Sequence, residues 1–333
     1  MAKKKVLVAG GAGYIGSFTV RALLEQGFEV TVFDNLSFGH RAAVPSAAIL
    51  IEGDLSDRAK LTETFRSSSY DAVIHFAALT SVPESVEKPL LYYRANVGNS
   101  LMLLQAMADG GVGRIVFSST AATYGTPLAR LDEEHSTLPI NPYGRTKLMV
   151  ENALGDMCRA GALSAVALRY FNAAGASIDG SLGEDHRPET HLMPLVIRAA
   201  RGIGKRLTLY GNDYPTADGT CVRDYVHVED LAAAHVKALE LLLDSAPGKF
   251  EIFNVGTGRG ASIKEVIETA SRVVGKPVPF DVGPRRAGDP AELVACSDKL
   301  QAQLGWRPKY LEIESILESV NRWFEKNPSG YRD

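Results

Sequence analysis

An α/β fold, with a doubly wound parallel sheet and a smaller C-terminal α/β domain beside it, is predicted by three observations. Strand and helix patterns alternate through the first half of the 333 residues, the order that places a parallel sheet between two layers of helices. The first apolar run leads into a turn bearing Gly10, Gly13 and Gly16 before a helical pattern over 17–26 begins. Beyond Asn172 the strands shorten and Gly, Asp, His and Pro crowd residues 173–190, which marks a second unit.

In the first unit, Gly10 permits a tight turn, Gly13 lets backbone N–H groups approach a pyrophosphate, and Gly16 lets the helix lie against the strand. The helix N-terminus adds partial positive charge where a phosphate would sit. Strand, glycine turn and helix together read as a Rossmann-type dinucleotide site. A second strand over 28–33 ends at Asp34, 24 residues after Gly10. A carboxylate there accepts hydrogen bonds from an adenosine ribose diol and repels a 2′-phosphate, so the cofactor expected is NAD rather than NADP.

A third strand over 48–52 ends in Gly53-Asp54-Leu55. Asp54 either reaches the adenine edge of the dinucleotide or serves the turn before the next helix, expected over 57–66 with Ser56 as N-cap. The fourth strand, 73–76, runs into Ala77-Ala78, small residues that let a backbone pass close to a cofactor. One long helix is expected over 89–108, on which Asn96 either faces the cofactor or is solvated. The fifth strand, 114–117, ends in Ser118-Ser119-Thr120, hydroxyls at the strand end where open α/β sheets bind ligands.

A long helix follows Pro142, and a sixth strand spans 163–168. Further on come a short helix over 194–201, a Gly-rich loop over 211–220, a strong helix over 229–243 and a strand over 251–255. A helix starting at Ser262, with Glu265 completing a capping box, precedes two short strands and a final helix near 313–324. The expected division is 1–172 as the NAD-binding domain, with 224–255 returning to it, and 173–223 with 256–333 as the substrate-binding domain.

Tyr143 is the one tyrosine among twelve with a lysine four residues on, and residues four apart share a helix face. A phenol with an ordinary pKa near 10 is a poor base at neutral pH unless a cation stabilises the phenolate. Lys147 and the positive ring of NAD⁺ would both do so. Such a tyrosine takes a proton from a substrate alcohol while hydride leaves the same carbon for the ring.

The composition excludes other classes. A net charge of −3 makes no electrostatic case for nucleic acid. No apolar run is long enough to cross a bilayer, and strand residues follow Lys3, Lys4 and Lys5 directly, so neither a membrane partner nor a signal peptide is expected. Cys158, Cys221 and Cys296 are odd in number and widely spaced. They give neither a disulfide framework nor a zinc-ligand spacing, so no metal is expected and a reducing cytoplasm is the default compartment.

The glycine turn with Tyr-x-x-x-Lys at mid-chain resembles the extended short-chain dehydrogenase/reductases. More narrowly, the stretches 34–37, 75–78, 141–144, 169–172, 210–214 and 218–225 resemble the UDP-glucose 4-epimerase family nearly end to end. The resemblance implies an NAD-dependent isomerase that interconverts UDP-glucose and UDP-galactose through a 4-keto sugar. It makes Tyr143 the base, gives Lys147 the tasks of lowering its pKa and holding the nicotinamide ribose, and sets Thr120 on the reacting hydroxyl. Around NAD it places Tyr14, Ile15, Asp34, Asn35, Asp54, Leu55, Phe76, Asn96 and Phe171, with Ser37, Gly39, Ala77, Ala78 and Thr80 counted beside them. Around the UDP-sugar it places Asn172, His191, Leu192, Thr208, Leu209, Tyr210, Arg223, Arg286, Asp289 and Leu293, where the arginines neutralise the diphosphate. Relatives pair as homodimers through two long helices, here 89–108 and 143–160.

Three positions depart from the family pattern. Thr80 stands where a lysine is usual, His191 stands for an asparagine, and Leu293 is intermediate at a position that decides between plain and N-acetylated hexoses. A nucleotide-sugar 4,6-dehydratase begins with the same oxidation but carries Asp-Glu after the strand-end threonine. Here Ala121-Ala122 follows Thr120. A non-catalytic NAD-sensing protein on this fold would commonly lack the Tyr or the Lys.

Overall fold

The computed structural model describes residues 3–125, 130–286 and 289–332. Its largest feature is a seven-stranded sheet, parallel at every pairing. The strands of the first half are β1 (Lys5–Ala9), β2 (Glu29–Asp34), β3 (Ile49–Glu52), β4 (Ala72–His75), β5 (Arg114–Thr120) and β6 (Ser164–Tyr170). Interleaved helices are α1 (Tyr14–Glu25), α2 (Arg58–Ser67), α3 (Val82–Glu87), α4 (Pro89–Tyr92), α5 (Asn99–Asp109) and α6 (Pro142–Arg159). The second half contains β7 (Asn172–Ala174), α7 (Leu192–Ala200), β8 (Leu207–Tyr210), β9 (Val222–His227), α8 (Val228–Asp244) and β10 (Phe250–Val255). It closes with β11 (Gly260–Ser262), α9 (Ile263–Val274), β12 (Phe280–Gly283), β13 (Glu292–Leu293), α10 (Asp298–Leu304) and α11 (Ile313–Lys326).

The large sheet runs β10-β6-β5-β4-β1-β2-β3, so the strand order reverses between β1 and β4. A crevice outside the carboxyl ends of the strands at such a reversal is where doubly wound sheets take dinucleotides. Val6, Leu7 and Val8 of β1 are fully buried, because a central parallel strand has helices over both faces. Each such side chain contributes about 1.5–3 kcal/mol of apolar burial. Two core clusters lie on opposite sides of the sheet, one under α1 and α8, the other under α2, α5 and α6.

Strand β9 carries the smaller sheet, pairing with β7, β11 and β13, while β8 pairs with β12. A third core cluster gathers α7, α9 and α11 around Trp323. Ser262 caps α9 with the reciprocal capping box and Gly275 closes the helix at φ 72°. Among the described residues, no helix is long and apolar enough to cross a membrane.

Local details differ from the sequence expectation. Asp57, not Ser56, caps α2, because Ser56 is drawn back onto the carboxylate of Asp54. The helix expected over 89–108 is divided into α4, six residues of π-helix at 93–98 and α5, with α3 ahead of it. The wider turn re-aims Asn96 into the protein, where it is buried.

Candidate active site

The chain reverses at the end of β1 through Gly10, at φ +82°. A Cβ there would lie 2.5 Å from the Ala77 nitrogen, so the ends of β1 and β4 approach as only glycine allows. At Gly16 a Cβ would lie 2.2 Å from the Gly10 oxygen, which presses α1 onto the turn. At Gly13 the nearest atom to a Cβ is the Gly10 oxygen at 3.4 Å, so the space above the turn is open. The N–H groups of Tyr14 and Ile15 belong to the first turn of α1, which has no intrahelical acceptors to offer them. This cradle fits a pyrophosphate in shape and in charge.

Asp34 ends β2 and accepts hydrogen bonds from the Ala12 and Leu36 nitrogens, both at 2.9 Å. Burial raises its pKa against those two bonds. Leu36 is the one non-glycine residue among those described with a positive φ, 57°, strain of the kind that clusters at ligand sites. Asn35 accepts from the Ser37 nitrogen and hydroxyl and donates to Asp54 at 2.6 Å. Asp54 is held below the usual carboxylate range by its hydrogen bonds from Ser56. A Cβ on Gly39 would strike Ala12, which brings the 35–40 loop down over the turn. Asp34, Asn35, Ser37, Gly39 and Asp54 thus form one connected rim.

Other positions bear on this rim less directly. The Tyr14 hydroxyl donates to the Gly175 carbonyl at 2.6 Å, so its ring joins the two halves of the chain and leaves its backbone for a ligand. Leu55 points into the core, and the Phe76 ring packs on His235 at 4.6 Å. Asn96 uses its amide on Leu79, accepting from its nitrogen at 2.8 Å and donating to its oxygen at 2.9 Å, and donates also to the Thr146 hydroxyl. It therefore holds the 77–80 segment in place. Ala78 is half-buried on that segment and Thr80 is exposed.

Helix α6 brings its first turn to the end of β5. Asn141 caps it by accepting from the Gly144 nitrogen at 2.8 Å, with Pro142 at the first helical position. A Cβ on Gly144 would lie 2.4 Å from the Ala122 oxygen, so the helix start rests against the turn that follows Thr120. Tyr143 is thereby brought to the Thr120 side chain, and one turn later Lys147 Nζ donates to the Ser118 carbonyl at 2.8 Å over the Phe117 ring. Burial pushes the Tyr143 phenol up to about 12, opposed only by Thr120. Burial pulls Lys147 down to about 7, with the Glu151 charge working against it.

Behind these groups lies a set that the spacing of the sequence did not point to. Glu151, one turn past Lys147, accepts from Arg169 Nε at 3.0 Å and from the Ser119 hydroxyl, and both ionic partners are buried. Ser118 bonds Tyr170, and Asp224 gathers the Thr257, Gly258 and Ala295 nitrogens. The local signals were an Asn-Pro pair ahead of a helix and a glutamate at helical spacing from a lysine.

The residues expected around a UDP-sugar lie on two short sheets and one helix start. Asn172 on β7 donates to the Asp224 carbonyl at 3.0 Å. Arg223 on β9 donates to the Val222 and Pro290 carbonyls, both at 2.9 Å, and has Asp289 at 3.6 Å. Leu293 pairs in register with Arg223 and packs with Phe171 against Ala121, Tyr124 and Leu131, forming a wall beside Thr120. On β8, Thr208 and Tyr210 face outward and Leu209 inward, while Arg286 stacks over the Tyr210 ring at 4.1 Å. His191 and Leu192 begin α7.

A dinucleotide cradle and a Tyr–Lys–Thr constellation on one sheet edge describe a class of enzyme. The chain belongs to the NAD dependent epimerase/dehydratase family, whose model matches residues 6–256. A UDP-glucose 4-epimerase of Lactobacillus helveticus is 48% identical over 330 residues, which are 99% of each chain. Among solved structures, the UDP-glucose 4-epimerase of Brucella ovis in complex with NAD is 48% identical with a TM-score of 0.93, covering 96% of this chain and 98% of that one. That of Bifidobacterium longum in complex with NAD⁺ and UDP is 39% identical with a TM-score of 0.93, covering 98% of this chain and 100% of that one.

Proposed function

We propose that this chain is an NAD-dependent UDP-glucose 4-epimerase, interconverting UDP-glucose and UDP-galactose through a transient 4-keto sugar. The observation that carries the reading is Tyr143 beside Thr120, with Lys147 one turn on and bonded to Ser118, at the edge of an intact dinucleotide cradle. The likeness to UDP-glucose 4-epimerases over 99% of the chain supports it.

The glycine turn, the first turn of α1, and the rim of Asp34, Asn35, Ser37, Gly39 and Asp54 hold the dinucleotide. NAD⁺, when bound, supplies a two-electron acceptor and a positive charge beside the phenol. Tyr143 as phenolate takes the proton of the sugar 4′-hydroxyl, and Thr120 holds that oxygen. Lys147, fixed on Ser118, favours the phenolate when it carries its proton, although within the chain itself only Thr120 opposes the rise of the Tyr143 pKa. Tyr143 would return the proton to the 4-keto oxygen as the carbon is reduced again from its other face with the two electrons held by the dinucleotide, which gives the opposite epimer. Arg223 and Arg286 grip the diphosphate through forked donors, and the outward Thr208 and Tyr210, with the backbone of Leu209 between them, enclose the uracil. A firm hold on UDP and a loose hold on the sugar let the ketose present either face.

Residues 1–172 with 224–255 act as the NAD-binding domain, and 173–223 with 256–333 as the UDP-sugar-binding domain. In support, β10 pairs with β6 in the large sheet and α8 packs against it, whereas β9, whose last four residues fall in the returning segment, belongs to the small sheet. The working form is a homodimer, supported by exposed Leu90, Leu91, Leu101 and Met149 along the helical segments 89–109 and 142–159. The compartment is the cytoplasm, consistent with three free cysteines.

Incubation with UDP-galactose and separation of the products tests the reading. UDP-glucose is expected. A deoxy-ketosugar instead would move the reaction to a 4,6-dehydratase, and no turnover of any nucleotide sugar would favour a binding-only protein.

A further inference from the structure

The loop between β7 and α7 brings four metal-ligating side chains to one point. Glu184, His186, Glu189 and His191 each offer one ligand atom, and those atoms all lie within 4.8 Å of one another. We propose that these four residues bind one zinc ion, which pins the 184–191 loop to the start of α7.

The spacing matches the chemistry. Zinc held tetrahedrally at about 2.0–2.2 Å from nitrogen and oxygen sets its ligand atoms roughly 3.3–3.5 Å apart. His191 Nδ1 lies 2.9 Å from Glu184 Oε1 and 3.0 Å from Glu189 Oε1, and His186 Nδ1 lies 3.3 Å from Glu184 Oε1 and 3.8 Å from Glu189 Oε2. An ion seated among these atoms requires shifts of a few tenths of an ångström for these histidine–glutamate pairs and up to about an ångström for pairs at the 4.8 Å limit. The His186 Nδ1 atom is buried and its carboxylate neighbours stand at ion-pair distance without hydrogen-bond geometry, so the ion would give it a directed partner. Two carboxylates balance a divalent charge, and two imidazoles favour zinc over the harder magnesium or calcium. Nearby Arg187 is turned outward onto Asp185, so its charge is answered outside the set.

The location gives the ion a structural task. The His186 ring stands edge-on to Tyr14, which begins α1 at the glycine turn, with centroids 6.4 Å apart. His191 is the residue before α7, beside Leu192. One ion therefore links the flank of the cofactor turn to the helix start expected beside the nucleotide sugar. This inference does not rest on the proposed reaction.

The test uses the full chain as purified, stripped with a chelator, dialysed, and titrated with zinc chloride. Metal content by mass spectrometry and affinity by calorimetry are read for the wild type, His186→Ala/His191→Ala and Cys296→Ser, the last because a thiol is the rival zinc ligand. One zinc per chain is expected in the wild type and in Cys296→Ser, with affinity at least 100-fold weaker in the double variant. Zinc should raise the melting temperature of the wild type and leave that of the double variant unmoved. If the double variant fails to fold, His191→Asn, whose ring is half exposed, is expected to weaken binding at least 10-fold. No stoichiometric zinc in the wild type, or equal affinity in the histidine variants, overturns the proposal and leaves the four residues as a hydrogen-bonded ion-pair cluster.

Discussion

Lys147 reaches across from α6 to the backbone of β5, donating from Nζ to the Ser118 carbonyl at 2.8 Å. The bond fixes the ammonium two residues before Thr120 along the strand, while Tyr143, one helical turn back, meets Thr120 itself. Helix and strand end are thus cross-linked by the lysine, with the Tyr143 and Thr120 side chains adjacent beside it. The groups stay in place without relying on a flexible loop.

Tyr143→Phe removes the proton carrier while keeping the ring that fills the site. Turnover of UDP-galactose should fall by about 10²–10⁴, the range a positioned acid–base group contributes. Dinucleotide content after purification should stay near that of the wild type. Near-normal turnover would place the base elsewhere.

Lys147 also imposes a pH dependence on stability. Burial sets it near 7 in the folded protein against 10.5 for an ordinary lysine, so between these values the unfolded chain holds more protons and stability rises with pH. Two histidines run the other way. Against the effect of burial, Glu184 and Glu189 raise His186 to about 9 and His191 to about 10. The comparison with Lys147→Met isolates the lysine. Between pH 7 and 8.5 the stability of the wild type relative to that variant should increase by about 1–2 kcal/mol, measured by urea unfolding of chelator-treated, dinucleotide-free protein. A constant difference would show that Lys147 keeps an ordinary pKa.

What the sequence reveals and what it hides follow from the range of each interaction. The glycine turn and the shared face of Tyr143 and Lys147 are local, set by turn sterics and by the helical period, and are legible in a string of letters. The seven-stranded order follows from the alternation of elements. Glu151 stands 18 residues from Arg169 and 32 from Ser119, and no short-range pattern announces such a meeting across a sheet. Asn96, for which helical spacing leaves both orientations open, sits in a π-helical segment that no local pattern announces. Glu184, His186, Glu189 and His191 converge in a loop, where no periodicity exists to read.

Two glycines of the same turn should fail in different ways. At Gly13 the backbone, at φ −75°, is open to any residue and a Cβ meets nothing closer than 3.4 Å, so Gly13→Ala should fold with an unchanged melting temperature in the dinucleotide-free form. Its methyl group occupies the approach of the pyrophosphate, so the purified protein should carry little NAD. At Gly16 the methyl meets backbone at 2.2 Å, which cannot give way. Gly16→Ala should lose about 1–3 kcal/mol of stability as well as NAD. Retained NAD in Gly13→Ala, read by absorbance of the released nucleotide, would refute the cradle.

Glu151→Ala leaves the buried Arg169 guanidinium without its counter-ion and the Ser119 hydroxyl without its acceptor. Breaking one side of a buried pair costs about 3–5 kcal/mol. Arg169 also lies over the Tyr124 ring at 4.8 Å, in the wall that includes Leu293, so the loss should spread to the substrate side. Denaturant unfolding should show the full decrease. A change under about 1 kcal/mol, the scale of an exposed pair, would mean that water reaches Arg169.

On the proposed reading, Leu293 limits the room for the sugar. It packs with Phe171 against Ala121, Tyr124 and Leu131, directly beyond Thr120, and its partner in register is Arg223. A larger residue here is expected to extend the wall towards the sugar, and Arg223 beside it makes UDP affinity the control to measure. Leu293→Tyr should therefore reduce any turnover of UDP-N-acetylhexosamines by about tenfold or more, the scale on which a pocket discriminates by bulk, and leave UDP-galactose turnover within about a factor of two or three. The check is kcat/KM for both substrates in both proteins. An equal loss on the two would mean that the side chain supports the site as a whole, and the room beside Thr120 would then be set by another residue.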